Sequence, residues 1–185
     1  MGGDKPIITE VIYPAEISDA LTAHVLETNT KVVEALGIRR GVTHSEYILD
    51  SHGRCFLLET ANRGGGVLTS NVIIPAISGV DISEVLVREA FGEEFTVVPG
   101  PGGKAAMLGF LVFPPGKVGS IGGVEAASAL PGVLHLRMLI QPGDVLVPPQ
   151  SGAGRHGFGI FVGESREAVR TLCRAVNEAI ALEYV

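Results

Sequence analysis

The chain has 185 residues, 20 acidic and 14 basic side chains and a net charge of −6. Apolar residues make up 46% and charged residues 18%, which excludes a disordered, solvating segment and allows one domain or two small ones with an apolar interior. No basic block, signal pattern or apolar run of transmembrane length is present, so nucleic acid and membrane are not expected partners, and a cytoplasmic location is expected.

Ile7 to Tyr13 is rich in β-branched residues and stops at Pro14, as a strand would. Ser18 or Asp19 is a suitable N-cap for a helix over Ala20 to Leu36. Its apolar face is Leu21, Val25, Thr28, Val32, Val33 and Leu36, and Gly37 closes it. Gly41 to Leu49 and Cys55 to Thr60 flank Asp50-Ser51-His52-Gly53-Arg54, a turn composition that predicts an antiparallel hairpin. Arg63-Gly64-Gly65-Gly66 forms a bend into Leu68 to Ile77, a helix or short irregular segment. Asp81 caps a helix to Phe91, closed by Gly92.

Past Glu94, Pro and Gly punctuate short β-branched runs at Met107 to Phe113, Val133 to Ile140, Asp144 to Val147 and Gly157 to Val162. This pattern predicts a small, mostly antiparallel sheet. Glu164-Ser165-Arg166 starts a last amphipathic helix, with Ala168, Leu172, Ala175, Val176, Ala179 and Ile180 on its inner side. The fold class is α+β, with a division into residues 1–95 and 96–185. Cys55 and Cys173 read as two buried, reduced thiols, because neither has a Cys or His at ligand spacing.

Chemistry concentrates in Gly41-Val-Thr-His44-Ser-Glu46, the hairpin turn, and Glu59-Thr-Ala-Asn-Arg63-Gly-Gly-Gly66. Antiparallel neighbours of matching parity bring Glu46 and Glu59 onto one face, and two carboxylates aimed at one spot repel unless a cation lies between them. A hard divalent ion suits that donor set and also takes phosphate oxygens. Arg63, just past the strand end, offers a planar fork for phosphate or carboxylate.

This run resembles the metal-binding strands of the ATP-grasp superfamily, which includes biotin carboxylase, carbamoyl phosphate synthetase and the L-amino-acid ligases. In that family an acid on one strand precedes a second acid on the next, followed four residues later by an arginine and a glycine-containing turn. The resemblance covers about residues 7 to 93 and implies metal ligation by Glu46 and Glu59, with Arg63 as the catalytic arginine. It further implies ATP bound through Glu46, Glu59 and Arg63, with Mg2+ or Mn2+. His44, Gly65 and Asn71 are candidate substrate contacts. The form around His44 is most similar to the amino-acid ligases. Where the family often carries Asn two residues after the second acid, this chain has Ala61.

The expectation is therefore the C-terminal part of an ATP-grasp domain followed by a small β-rich subdomain with a terminal helix. It would be a fragment or split subunit of a carboxylate–amine ligase that works through an acyl phosphate, with a small carboxylate and an amine as substrates. The N-terminal and lid domains of such an enzyme are expected in cis or on a partner chain, and without them the chain alone is expected to be inactive. The alternative is a non-catalytic binding or oligomerisation module, and the apolar face left open would also suit a homo-oligomer. The loop reading is preferred for Pro99 to Gly103, because Ala105 follows Lys104 where a P-loop needs Ser or Thr, and for Gly152 to His156.

Overall fold

The computed structural model describes residues 7–100 and 102–185. In chain order the elements are β1 (Glu10–Tyr13), α1 (Asp19–Ala35), β2 (His44–Leu49), β3 (Cys55–Ala61), a π-helical turn (Thr69–Ile73), α2 (Ile74–Ser78) and α3 (Ile82–Ala90). They continue with β4 (Ala105–Leu111), β5 (Gly116–Gly122), α4 (Val124–Ser128), β6 (Val133–Met138), β7 (Val145–Leu146), β8 (Gly157–Gly163), α5 (Arg166–Ala179) and β9 (Ala181–Tyr184). The chain divides into two compact units, Ala15–Gly102 and Gly103–Val185, the latter joined by the N-terminal segment through Pro14.

In the Ala15–Gly102 unit, α1 starts where the Ser18 hydroxyl accepts from the Leu21 N–H at 3.2 Å. It ends where Gly37 turns left-handed at φ 68°, which frees the chain from the helix without a Cβ penalty. Leu21, Val25, Thr28, Val32 and Val33 form the half-buried stripe, but Leu36 caps the helix and is exposed. Asp50 builds the β2–β3 turn: Oδ1 accepts from the N–H groups of His52 and Arg54, both at 2.9 Å, and Oδ2 accepts from Arg54 Nε at 2.6 Å. Asp81 caps α3 by accepting from Ser83 N at 2.8 Å and Glu84 N at 3.3 Å. Among the described residues of this unit, only Ser70 and Ile73 are buried.

The other unit carries the apolar core. Its four-stranded sheet has the order β1-β4-β8-β6, with every neighbour antiparallel. A second sheet has the order β7-β5-β9. Met107, Leu111 and Phe161 pack with Ala127 of α4 and with Val169, Cys173, Val176 and Ile180. The inner stripe of α5 and its C-cap is thus Val169, Cys173, Val176 and Ile180. Ala168, Ala175 and Ala179, expected inward from the sequence, are exposed. The larger side chains remove more apolar area from water, so they win the inner face. Cys173 is buried as expected, whereas Cys55 is only half-buried. Gly109 makes this packing possible: a β-carbon there would lie 2.7 Å from Cys173 Sγ.

Candidate functional site

The β2–β3 ladder contains one irregularity, and it lies at the expected site. Tyr47 pairs with Leu57, but Glu46 pairs with Glu59, so Leu58 and Glu59 together face one residue of β2. An unbroken ladder would place Leu58 opposite Glu46 and Glu59 opposite Ser45. The bulge shifts the register by one residue, sets the two acids directly across from each other and lets Thr60 pair with Ser45. The Thr60 and Ser45 hydroxyls are 3.2 Å apart, which shows that this second pair shares a face. Bulges often re-aim a side chain next to an active site.

The hairpin's two faces differ. On the Ser45 and Tyr47 side, the Tyr47 hydroxyl donates to Asn29 Oδ1 of α1 at 3.0 Å, so the helix backs that face. Glu46 and Glu59 belong to the other side, with side chains 48% and 54% exposed. Further along the same ladder, Ile48 pairs with Phe56, and both are about half exposed, at 51% and 48%. A pair of carboxylates next to an apolar pair thus lies open on one ribbon.

Each acid has a cationic or hydrogen-bonding neighbour. His44 Nε2 is 3.3 Å from Glu46 Oε1, and the imidazole donates there because an ionised carboxylate only accepts. Arg63 Nη2 is 3.6 Å from Glu59 Oε1, while Arg63 Nη1 donates to the Gly64 carbonyl at 2.8 Å. Gly65 lies against His44, since a β-carbon on it would be 3.1 Å from His44 Nδ1. His44 thus touches Glu46 and Gly65 while Arg63 pairs with Glu59, and the cross-strand register sets these two pairs side by side. Asn71 is exposed in the π-helical turn and makes none of these contacts. Asn62 donates to the Arg40 carbonyl at 3.3 Å, away from the acids.

The donor set fits a hard divalent cation in one respect. Two carboxylates directly opposite each other are an unfavourable cross-strand pair, and a shared cation turns that repulsion into attraction. Among the described residues no group of three or more Asp, Glu, His or Cys could hold a metal ion, so any cation at this pair would take its further oxygens from water or substrate, as Mg2+ usually does.

The other tempting motif is used for packing. The Arg155 guanidinium lies 3.4 Å from the centre of the Phe110 ring and donates to the Ile8 carbonyl at 2.7 Å. Burial lowers its pKa. His156 is buried, and its Nδ1 accepts from the Phe113 N–H at 2.9 Å. Ser70, which no sequence signal singles out, is buried beneath the glycine turn.

Residues 109–185 match the family model for the L-amino acid ligase C-terminal domain 2. The uncharacterized protein y4rH of Sinorhizobium fredii is 22% identical over 174 residues, covering 94% of this chain and 36% of that protein. The L-amino acid ligase of Bacillus licheniformis superposes with a TM-score of 0.78 at 23% identity, over 96% of this chain and 44% of that one. Phosphoribosylglycinamide synthetase of Anaerococcus prevotii gives 0.81 at 14% identity, over 96% and 45%. The chain thus spans between about a third and a half of the length of these relatives. It has the fold of the C-terminal portion of the ATP-grasp ligases, and residues 109–185 are similar to the C-terminal domain 2 of L-amino acid ligases.

Proposed function

We propose that this chain supplies the metal-binding half of the active site of an ATP-dependent carboxylate–amine ligase. The observation that carries the reading is the cross-strand pair Glu46 and Glu59 with Arg63 beside it. Its support is the L-amino acid ligase match and the ATP-grasp fold.

In this reading Glu46 and Glu59 would hold Mg2+ or Mn2+, which when bound would supply positive charge to offset that of the phosphates. Glu46 is oriented by its bond from His44, and the Arg63 guanidinium would face the acyl phosphate formed from the substrate carboxylate. The developing oxyanion gains charge-assisted hydrogen bonds there when the amine attacks. His44, Gly65 and Asn71 are the proposed substrate contacts. The apolar pair Ile48 and Phe56 suits a flat base, which prefers an apolar shelf.

The remaining nucleotide contacts belong to further ATP-grasp domains, on the same polypeptide or on a partner, acting in the cytoplasm. No single helix among the described residues is long and apolar enough to cross a membrane. The test is calorimetry of Mn2+ and Mn2+–ADP binding to this chain and to its Glu59→Gln variant. Binding that the variant loses supports the reading, and equal heats for both proteins would remove it.

A further inference from the structure

The turn after Arg63 follows an unusual path. Val67 and Leu68 are successive non-glycine residues at positive φ, 47° and 61°. A β-branched residue in that region is strained, and such strain persists only where neighbouring structure over-determines it. The restraints here are identifiable. Thr69 N donates to the Gly66 carbonyl at 3.0 Å, and the Leu68 carbonyl accepts from Val72 N at 2.8 Å and Ile73 N at 3.4 Å. Beneath the turn lies Ser70, 4% exposed and the only buried polar residue described in its unit.

Ser70 touches the turn at two points. Its hydroxyl donates to the Gly65 carbonyl at 3.4 Å. A β-carbon on Gly64 would collide with Ser70 Oγ and lie 2.8 Å from Ser70 Cβ. Gly64 in turn supplies the carbonyl that holds Arg63 Nη1, and Gly65 is the residue against which His44 lies. Both side chains flanking the acidic pair therefore lean on backbone that Ser70 supports.

We infer that Ser70 is a positioning residue: its buried hydroxyl fixes the Gly64-Gly65 backbone and, through it, the guanidinium of Arg63 and the ring of His44. Ser70 touches neither acid, and its effect reaches a ligand only through those two side chains. The claim about what Arg63 then binds rests on the ligase reading, whereas the claim about the turn does not.

The experiment uses the whole chain with Ser70→Ala, which removes the hydroxyl, and Ser70→Thr, which restores one. Hydrogen exchange of the Thr69 and Val72 amides, which donate to the Gly66 and Leu68 carbonyls at 3.0 and 2.8 Å, needs no metal. Ser70→Ala should speed it about tenfold, the loss of one modest hydrogen bond, with partial rescue by Thr. Unchanged exchange, or a rise spread equally over β2 and β3, would overturn the inference. Mn2+ alone and Mn2+–pyrophosphate are then titrated. Ser70→Ala should weaken the pyrophosphate complex about tenfold, through Arg63, and Mn2+ alone by less, because both carboxylates remain. Equal weakening of both ligands would reduce Ser70 to a folding role and overturn the inference. If the parent chain binds neither probe, the ligase reading fails alone, and the exchange data still decide the positioning claim.

Discussion

Glu46 lies directly opposite Glu59 only because β3 carries one residue more than β2 between this pair and the next, Tyr47 with Leu57. The bulge therefore sets two negative charges together where a plain ladder would have separated them by a position. Like charges directly opposite destabilise a hairpin by a few tenths to about 1 kcal/mol, less when half-exposed to solvent. Glu46→Gln should accordingly raise the melting temperature of the metal-free chain slightly. Millimolar Mn2+ should raise it in the parent and not in the variant. Thermal denaturation with and without Mn2+ checks both signs, and a parent that Mn2+ leaves unmoved contradicts the shared-cation account.

The turn that joins these strands should respond to acid. Asp50 has its pKa held below the ordinary value, first by the backbone N–H of Arg54 and also by the Arg54 guanidinium and the His52 N–H. Since the folded value is depressed, the stabilisation is complete above the ordinary aspartate pKa and is lost as pH falls through that value toward the folded one. The amide of Gly53, which donates to the Asp50 carbonyl at 3.0 Å, reports the turn. Its NMR shift should move at acidic pH in the parent and stay flat in Asp50→Asn.

Much of this architecture is local and therefore readable in the chain. Ser18, Asp81 and Ser165 cap helices because short polar side chains satisfy free N–H groups, wherever the helix later packs. The hairpin is legible from Asp50 and Gly53, and the candidate acids from their strand positions. Four features depend on contacts that the local sequence does not specify and are not legible. β5 is interrupted by Gly116, Gly119 and Gly122, and becomes a strand only because β7 and β9 pair with it. β1 finds its partner in β4, far along the chain, and is tied to α5 by the ion pair of Glu10 with Arg170 at 2.8 Å. The bulge at Leu58 leaves no compositional mark, and Ser70 looks like any turn serine until Gly64 packs against it.

The thiols should separate by reactivity. Burial raises the pKa of Cys173, and the charge of Glu10 adds to the effect. Cys55 is half-buried on the hairpin. Since the thiolate is the reactive form, a thiol reagent near neutral pH should label Cys55 first and reach Cys173 only when the core opens. Mass spectrometry of the labelled peptides reads the order, and equal rates at both sites would contradict the burial of Cys173.

The two units should also differ in how firmly they hold together. Buried apolar side chains are concentrated in the unit built on β4, β8 and α5, where Leu111, Ile160, Phe161, Val169 and Val176 show no exposure. The Ala15–Gly102 unit buries only Ser70 and Ile73 among its described residues and leaves Phe56, Leu57 and Leu58 open at 48%, 44% and 58%. Regions with few buried apolar contacts open at lower free energy than the global transition. Limited proteolysis should therefore cut within residues 15–102 first and leave a resistant fragment beginning near Gly103. Phe161→Ala should cost about 3–5 kcal/mol and expose that fragment as well, while Phe56→Ala, at a half-open site, should cost far less. If residues 15–102 proved the more resistant part, the exposed hairpin face would have to be covered in solution. Sedimentation velocity at rising protein concentration would then show whether the cover is a second copy of the chain.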